Sequence, residues 1–196
     1  MKRRVILGLA CGLCAVCLAG AGLLLGRVPP EDTAPAGDIP PAFFPGGENY
    51  VELQTGDECS ACAAAYVMRQ LGREVTSAEL YPRIRRVLGF VSAGSVAALF
   101  REYGYQAEAF HGSVETVKRR LAAGASVIAF VSIPGDTHYV VIAGYDGEFL
   151  YLADSMAENA NAEGGWYNRR VSAGELEGMW RTAVYPVENV YLVISP

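Results

Sequence analysis

The chain contains the segment Cys59-Ser-Ala-Cys-Ala-Ala-Ala-Tyr-Val-Met-Arg-Gln-Leu71, an alanine-rich run followed directly by Gly72. Alanine favours helix and glycine commonly ends one, so the segment predicts a helix with Cys59 in its first turn. A helix N-terminus and a nearby imidazole both favour the thiolate form of a cysteine. Cys59 is therefore a candidate nucleophile, and its role depends on the groups that the rest of the chain brings to it.

Three polar residues elsewhere supply such groups. Gln54 lies five residues before Cys59, His138 starts the apolar run Thr-His-Tyr-Val-Val-Ile-Ala, and Asp154 ends the next apolar run, sixteen residues after the histidine. A carboxamide, a thiol, an imidazole and a carboxylate in this chain order are the groups of a papain-like cysteine hydrolase. Each residue alone has an ordinary structural explanation, but the ordered set indicates function.

The stretch from Gln54 to about Ser155 resembles the bacteriocin-processing (double-glycine leader) cysteine peptidases and their standalone relatives, which are papain-like. The sixteen-residue spacing is the most specific feature, because it fixes one hairpin of defined length. Two positions depart from the usual pattern: Ser60 stands where the family has Gly, and Ser155 stands where it has Pro. The matching motifs are Glu58-Cys59, Leu71-Gly72, Gly104-Tyr-Gln-Ala-Glu-Ala109, His138-Tyr-Val-Val-Ile142, Ala153-Asp154 and the tail from Tyr167 to Trp180.

The resemblance implies a role for each site residue. Cys59 would be the nucleophile, His138 the base, Asp154 the residue that orients the imidazole, and Gln54 a donor to the oxyanion. It further implies hydrolysis of a bond in a peptide or protein substrate through a thioester, with no metal and no organic cofactor. The sequence does not decide between hydrolysis and transpeptidation. It also leaves open the cleavage specificity, the oligomeric state and whether the protein serves an exporter in trans.

The amino terminus predicts a membrane anchor. Residues 5–26 are apolar and uncharged, follow the basic stub at residues 1–4, and at 1.5 Å per residue would cross roughly 30 Å of hydrocarbon. A cleaved signal peptide is the alternative. Because more positive charge precedes the span than follows it, we expect a single-pass protein of the cell membrane with an extracytoplasmic domain.

The segment between the span and the domain has an unusual composition. Residues 27–47 hold six prolines and three glycines in 21 residues, which predicts an extended tether without helix or sheet. The domain then occupies residues 48–196. Beyond Arg27 the chain carries 12 basic and 21 acidic residues, so nucleic acid is not an expected partner.

The order of predicted elements indicates an α+β fold. Capping signals at Thr76, Ser113 and Ser172 predict helices, and a further helix is expected over residues 94–103. Antiparallel strands are expected mainly in the second half, with a hairpin turn at Asp146-Gly147. In such a fold Cys59 and His138 come from opposite halves, and the resemblance implies that the fold is the papain-like one. The predicted strands cover residues 106–110, 126–133, 139–145, 148–153 and 189–194.

Two other functions remain open at this level. Cys59 and Cys62 form a CxxC pair, so the chain could be a thiol-disulfide oxidoreductase, although no clean βαβ unit surrounds the pair. A non-catalytic peptide-binding domain of the same fold is the other alternative. His111, Asp136 and Asp146 are interpreted as structural or turn residues.

Overall fold

The computed structural model describes residues 27–34 and 37–196. Within these residues, no helix has the length and apolar character needed to cross a membrane. The predicted span at residues 5–26 and the stub at residues 1–4 lie outside the described residues.

Helices form where the sequence places caps. The side chains of Thr76, Ser92, Ser113 and Ser172 each accept a hydrogen bond from a backbone N–H in the first helical turn. Gly72 ends the first helix with φ 84°, a conformation that glycine adopts without strain. The helices are α1 (Cys59–Gln70), α2 (Ser77–Leu80), α3 (Ala93–Glu102), α4 (Val114–Ala122) and α5 (Ala173–Trp180), with 3-10 turns at Tyr81–Arg83 and Ala157–Asn159.

The strands of the described part of the chain are β1 (Gln106–His111), β2 (Ser126–Ile133), β3 (Asp136–Tyr145), β4 (Leu150–Ala153), β5 (Arg169–Val171) and β6 (Val190–Ser195). They form one antiparallel sheet in the order β1-β6-β2-β3-β4-β5. The helix-rich first half and the strand-rich second half confirm the predicted α+β class. One short strand, β5, was not expected from the sequence.

Apolar side chains cover both faces of this sheet. Alternate residues of β2 point to opposite faces, so Ile128 and Phe130 pack with α1, α2 and α3, whereas Val127 and Ala129 pack with α4 and α5. The side chains packed on each face of the sheet are almost completely buried. The sheet therefore lies between two layers of helices.

Residues 27–34 and 37–47, which we call the strap, lie against the domain. The strap makes two isolated backbone pairings with the domain: Glu31 pairs with His111 at the end of β1, and Phe43 pairs with Tyr145 at the end of β3. Asp32 is buried, where it accepts hydrogen bonds from Arg120. The strap is thus part of the folded unit rather than only a tether to it.

Candidate active site

The first turn of α1 presents Cys59 to solvent. Cys59 is the first residue of the helix and is half-buried, whereas the residues that follow it are buried. The Glu58 carboxylate accepts a hydrogen bond from Gly56 N at 2.8 Å, which folds the preceding loop back onto the helix start. The unpaired N–H groups of a first helical turn face outward, so this end of α1 is suited to stabilise negative charge.

The β3–β4 hairpin brings His138 to Asp154. Val141 of β3 pairs with Ala153 of β4, so the residue after Ala153 lies near the start of β3. Nε2 of His138 is 2.7 Å from Oδ1 of Asp154, and their side chains are 1% and 0% exposed. The predicted spacing therefore produces the predicted pair.

Cys59 completes a triad with these two residues. Cys59 and His138 line the same cleft, and because Nε2 of His138 is bound to Asp154, Nδ1 is the imidazole nitrogen left for the thiol. Burial alone would lower the pKa of His138. The hydrogen bonds and the negative charges of Asp154 and Cys59 outweigh it and raise that pKa to about 9. The imidazole is thus held protonated beside the sulfur at neutral pH.

Asp154 is held as a carboxylate by several donors. Its burial would raise its pKa, but hydrogen bonds and the charge of His138 lower it, with help from the Met156 N–H and Arg169. Arg169 donates to Oδ2 at 2.8 Å, and Asn159 Nδ2 donates to the same oxygen at 3.0 Å. Sequence reasoning gave neither side chain a role. Asn159 lies in no motif, and Arg169 lies in the matching tail from Tyr167 to Trp180, which does not single it out.

Gln54 lines the same cleft as Cys59 and His138. Its backbone N–H donates to the Ser155 carbonyl at 2.9 Å, which ties the loop before α1 to the residue after Asp154. The structure therefore brings all four predicted site residues together. Gln54, Cys59 and His138 line one cleft, and the buried Asp154 binds His138.

The cleft has a volume of about 350 Å³ and is open to solvent. Residues 88–91 form one wall and residues 136–139 form another, with Ser60 beside Cys59. A space of this size can accommodate a few residues of an extended chain.

The two cysteines of the CxxC pair differ in environment. Both are free thiols, but Cys62 is 4% exposed, whereas Cys59 faces the cleft. Burial is the main cause that raises the pKa of Cys62 to about 11. A buried thiol that resists ionisation is a poor partner for thiol-disulfide exchange, so the redox alternative is not favoured.

Other titratable residues stand apart from the triad. His111 pairs with the strap, and Asp146 accepts hydrogen bonds from Phe149 N and Tyr151 at the hairpin turn. Asp136 lines the cleft, where it accepts a hydrogen bond from Thr137 N. No group of three or more His, Cys, Asp or Glu side chains suited to a metal ion occurs among residues 27–34 and 37–196.

Comparison with solved structures identifies the class of this fold. The peptidase domain of Streptococcus ComA, a bifunctional ABC transporter, superposes with a TM-score of 0.59 at 12% identity, covering 76% of this chain and 99% of that domain. A double glycine motif protease from an AMS/PCAT transporter, solved with its leader peptide, has a TM-score of 0.57 at 17% identity, covering 79% and 98%. A C39-like peptidase from Bacillus anthracis has a TM-score of 0.56 at 17% identity, covering 81% and 96%. The fold is that of the C39 peptidase domains, which are papain-like.

The sequence itself gives the family. The model of the Peptidase_C39 like family matches residues 48–186, and the chain belongs to this family. Among curated protein sequences, none matches the chain. The predicted resemblance to the double-glycine peptidases is confirmed at the level of family and fold.

Proposed function

We propose that this protein is a cysteine peptidase that hydrolyses a peptide bond through a thioester. The observation that carries the proposal is the hydrogen-bonded pair of His138 and Asp154, with Cys59 and His138 lining the same open cleft. The raised pKa of His138 supports it, because a protonated imidazole beside the sulfur stabilises a thiolate at neutral pH.

The first half of the reaction forms the thioester. The Cys59 sulfur attacks the substrate carbonyl carbon, a C–S bond forms, and the carbonyl π electrons move to the oxygen. The Gln54 side chain and the N–H groups at the start of α1 donate hydrogen bonds to this oxyanion. When the tetrahedral species collapses, the C–N bond breaks and the leaving amine takes the proton of the His138 imidazolium.

The second half of the reaction restores the enzyme. His138, now neutral, accepts a proton from a water molecule as the water oxygen attacks the thioester carbon. The C–S bond then breaks, the acid product leaves, and the thiolate and imidazolium of the resting site are regenerated. Asp154 keeps the imidazole in one orientation throughout and stabilises its charged form.

The substrate we propose is a peptide or an unfolded segment of a protein. The open cleft supports this, as does the leader peptide bound to the AMS/PCAT protease of similar fold. The proposed location is the outer face of the cell membrane, with residues 5–26 as the anchor. That part of the proposal is supported by the uncharged apolar run behind Lys2, Arg3 and Arg4.

Alkylation and turnover together test the activity. The full chain in detergent is treated with substoichiometric iodoacetamide at neutral pH, the modified residue is mapped, and a panel of peptides is assayed for cleavage. We expect selective modification of Cys59, no turnover by C59A, and turnover by C62A close to that of the unmodified protein. Equal labelling of Cys59 and Cys62, or loss of activity in C62A as complete as in C59A, would contradict the proposal.

Protease accessibility tests the location. In intact cells, an externally added protease should digest the domain, whereas inverted membrane vesicles should protect it. The opposite pattern would place the domain inside the cell and contradict the proposed orientation.

A further inference from the structure

Two hydrogen bonds join Gln54 to the residue that follows Asp154. The hydroxyl of Ser155 lies 2.6 Å from Oε1 of Gln54, and the Gln54 backbone N–H donates to the Ser155 carbonyl at 2.9 Å. Ser155 is 4% exposed and is 101 residues away from Gln54 in the sequence. The contact is therefore a tertiary one, between a buried hydroxyl and a half-buried carboxamide.

The surrounding groups fix which end of the Gln54 carboxamide points where. Its other amide atom is 2.9 Å from the Gly56 carbonyl oxygen, which can only accept a hydrogen bond. That atom must therefore be Nε2, and the atom that faces Ser155 must be the oxygen. The Ser155 hydroxyl is consequently the donor, and Nε2 keeps a second hydrogen that Gly56 does not use.

We propose that Ser155 is a positioning residue, which holds the Gln54 carboxamide so that Nε2, and not Oε1, serves the oxyanion. This inference depends on the proposed peptidase function. Without a donor at residue 155, the carboxamide would lose the contact that locks its oxygen away from the cleft. A rotated amide would present a partial negative charge to a developing negative charge, which opposes the transition state.

The same contact couples the two halves of the site. Ser155 directly follows Asp154, whose carboxylate holds His138, so one short segment orients the imidazole through one residue and the carboxamide through the next. A displacement of this segment would disturb the base and the oxyanion donor together. Loss of the hydroxyl alone should disturb only the donor.

The test uses S155A in the full chain, because alanine removes the hydroxyl and keeps the backbone contact to Gln54. We expect kcat to fall about ten-fold with KM within about two-fold, which is less than the roughly hundred-fold fall expected for loss of an oxyanion donor in Q54A. In the double variant Q54A/S155A, the second substitution should cost nothing further, since the amide that Ser155 positions is absent. S126A is the matched control, because Ser126 is a buried serine at the start of β2 outside the cleft, and its kcat should be unchanged.

A second measurement separates positioning from general damage. Iodoacetamide reacts with a thiolate by displacement at carbon and forms no oxyanion on a carbonyl. The alkylation rate of Cys59 should therefore be equal in S155A and in the wild-type protein. A parallel fall in alkylation and turnover, full additivity in the double variant, or unchanged kcat in S155A would each overturn the role of Ser155. Absence of both turnover and selective alkylation in the unmodified protein would overturn the proposed function, and this inference with it.

Discussion

Nε2 of His138 lies 2.7 Å from Oδ1 of Asp154, and the two side chains are 1% and 0% exposed. A charged pair removed from water in this way is stabilising only when further groups satisfy the carboxylate. Arg169 and Asn159 supply those groups at the second carboxylate oxygen. The hairpin therefore holds a compact charged network, and the protonation of His138 should be visible in both stability and activity.

Stability should fall as the pH rises through the titration of His138. The pKa of His138 is raised from 6.5 to about 9 in the folded protein, so the folded state holds this proton more tightly than the unfolded chain does. The stabilisation is complete below pH 6.5 and is lost as the pH rises through about 9. The free energy of unfolding should therefore fall by about 3 kcal/mol over this pH range. Urea unfolding at several pH values measures it.

The variant H138Q isolates this contribution from other groups that titrate in the same range. Its free energy of unfolding should depend less on pH between 6.5 and 9 than that of the unmodified protein. Identical pH dependence in the two proteins would show that His138 is not the group responsible.

Substitution of Asp154 should shift the pH profile of activity. In D154N the negative charge next to His138 is lost, so the pKa of the imidazole falls and the protonated form disappears at lower pH. We expect the alkaline limb of kcat/KM to move to lower pH and the maximal value to fall by about 10²–10⁴. D146N is the control, because Asp146 binds the hairpin turn and Tyr151 rather than His138. An alkaline limb that stays in place in D154N would rule out Asp154 as the orienting group.

The hairpin could be predicted from sequence because its geometry is local. Sixteen residues with a turn signal at Asp146-Gly147 bring the chain back toward the start of β3, so the spacing predicts that Asp154 lies near His138. The short strand β5 carries no periodic pattern over its three residues, and it was not expected.

The support around the triad could not be predicted in this way. Arg169 reaches Asp154 because β5 pairs with β4, and Ser155 reaches Gln54 across 101 residues. The strap depends on contacts of the same kind, such as the 88-residue separation between Asp32 and Arg120. Composition predicts an extended segment, but it carries no information about the surface against which such a segment packs.

Arg69 should be a determinant of stability for the segment that leads to Gln54. This buried residue of α1 forms a salt bridge with Glu52. It also donates hydrogen bonds to the carbonyl oxygens of Tyr50 at 2.9 Å and of Val75 at 3.0 Å. R69Q would leave the carboxylate of Glu52 without its partner in a largely buried setting. We expect a loss of about 3 kcal/mol in the free energy of unfolding, measured in urea.

The double variant E52Q/R69Q tests whether the pair is the cause. Because neither charge then remains unpaired, its loss of stability should be smaller than the sum of the two single losses. R73Q is the control, since Arg73 follows the same helix and is exposed, and it should change stability little. Additive losses for Glu52 and Arg69 would show that the two side chains act independently.

Asp32 should fix the strap to the domain. Its side chain is 0% exposed and accepts hydrogen bonds from Arg120 at 2.6 Å and from the Tyr191 hydroxyl at 2.6 Å. D32A removes both contacts and leaves the partly exposed guanidinium without a partner, so we expect a loss of about 2–3 kcal/mol in the free energy of unfolding. Limited proteolysis should then cut the strap faster, while the alkylation rate of Cys59 stays the same. D38A, at an exposed carboxylate of the same strap, should change neither measurement. Equal cleavage of the strap in D32A and the unmodified protein would mean that other contacts, such as the pairing of Phe43 with Tyr145, are sufficient to hold it.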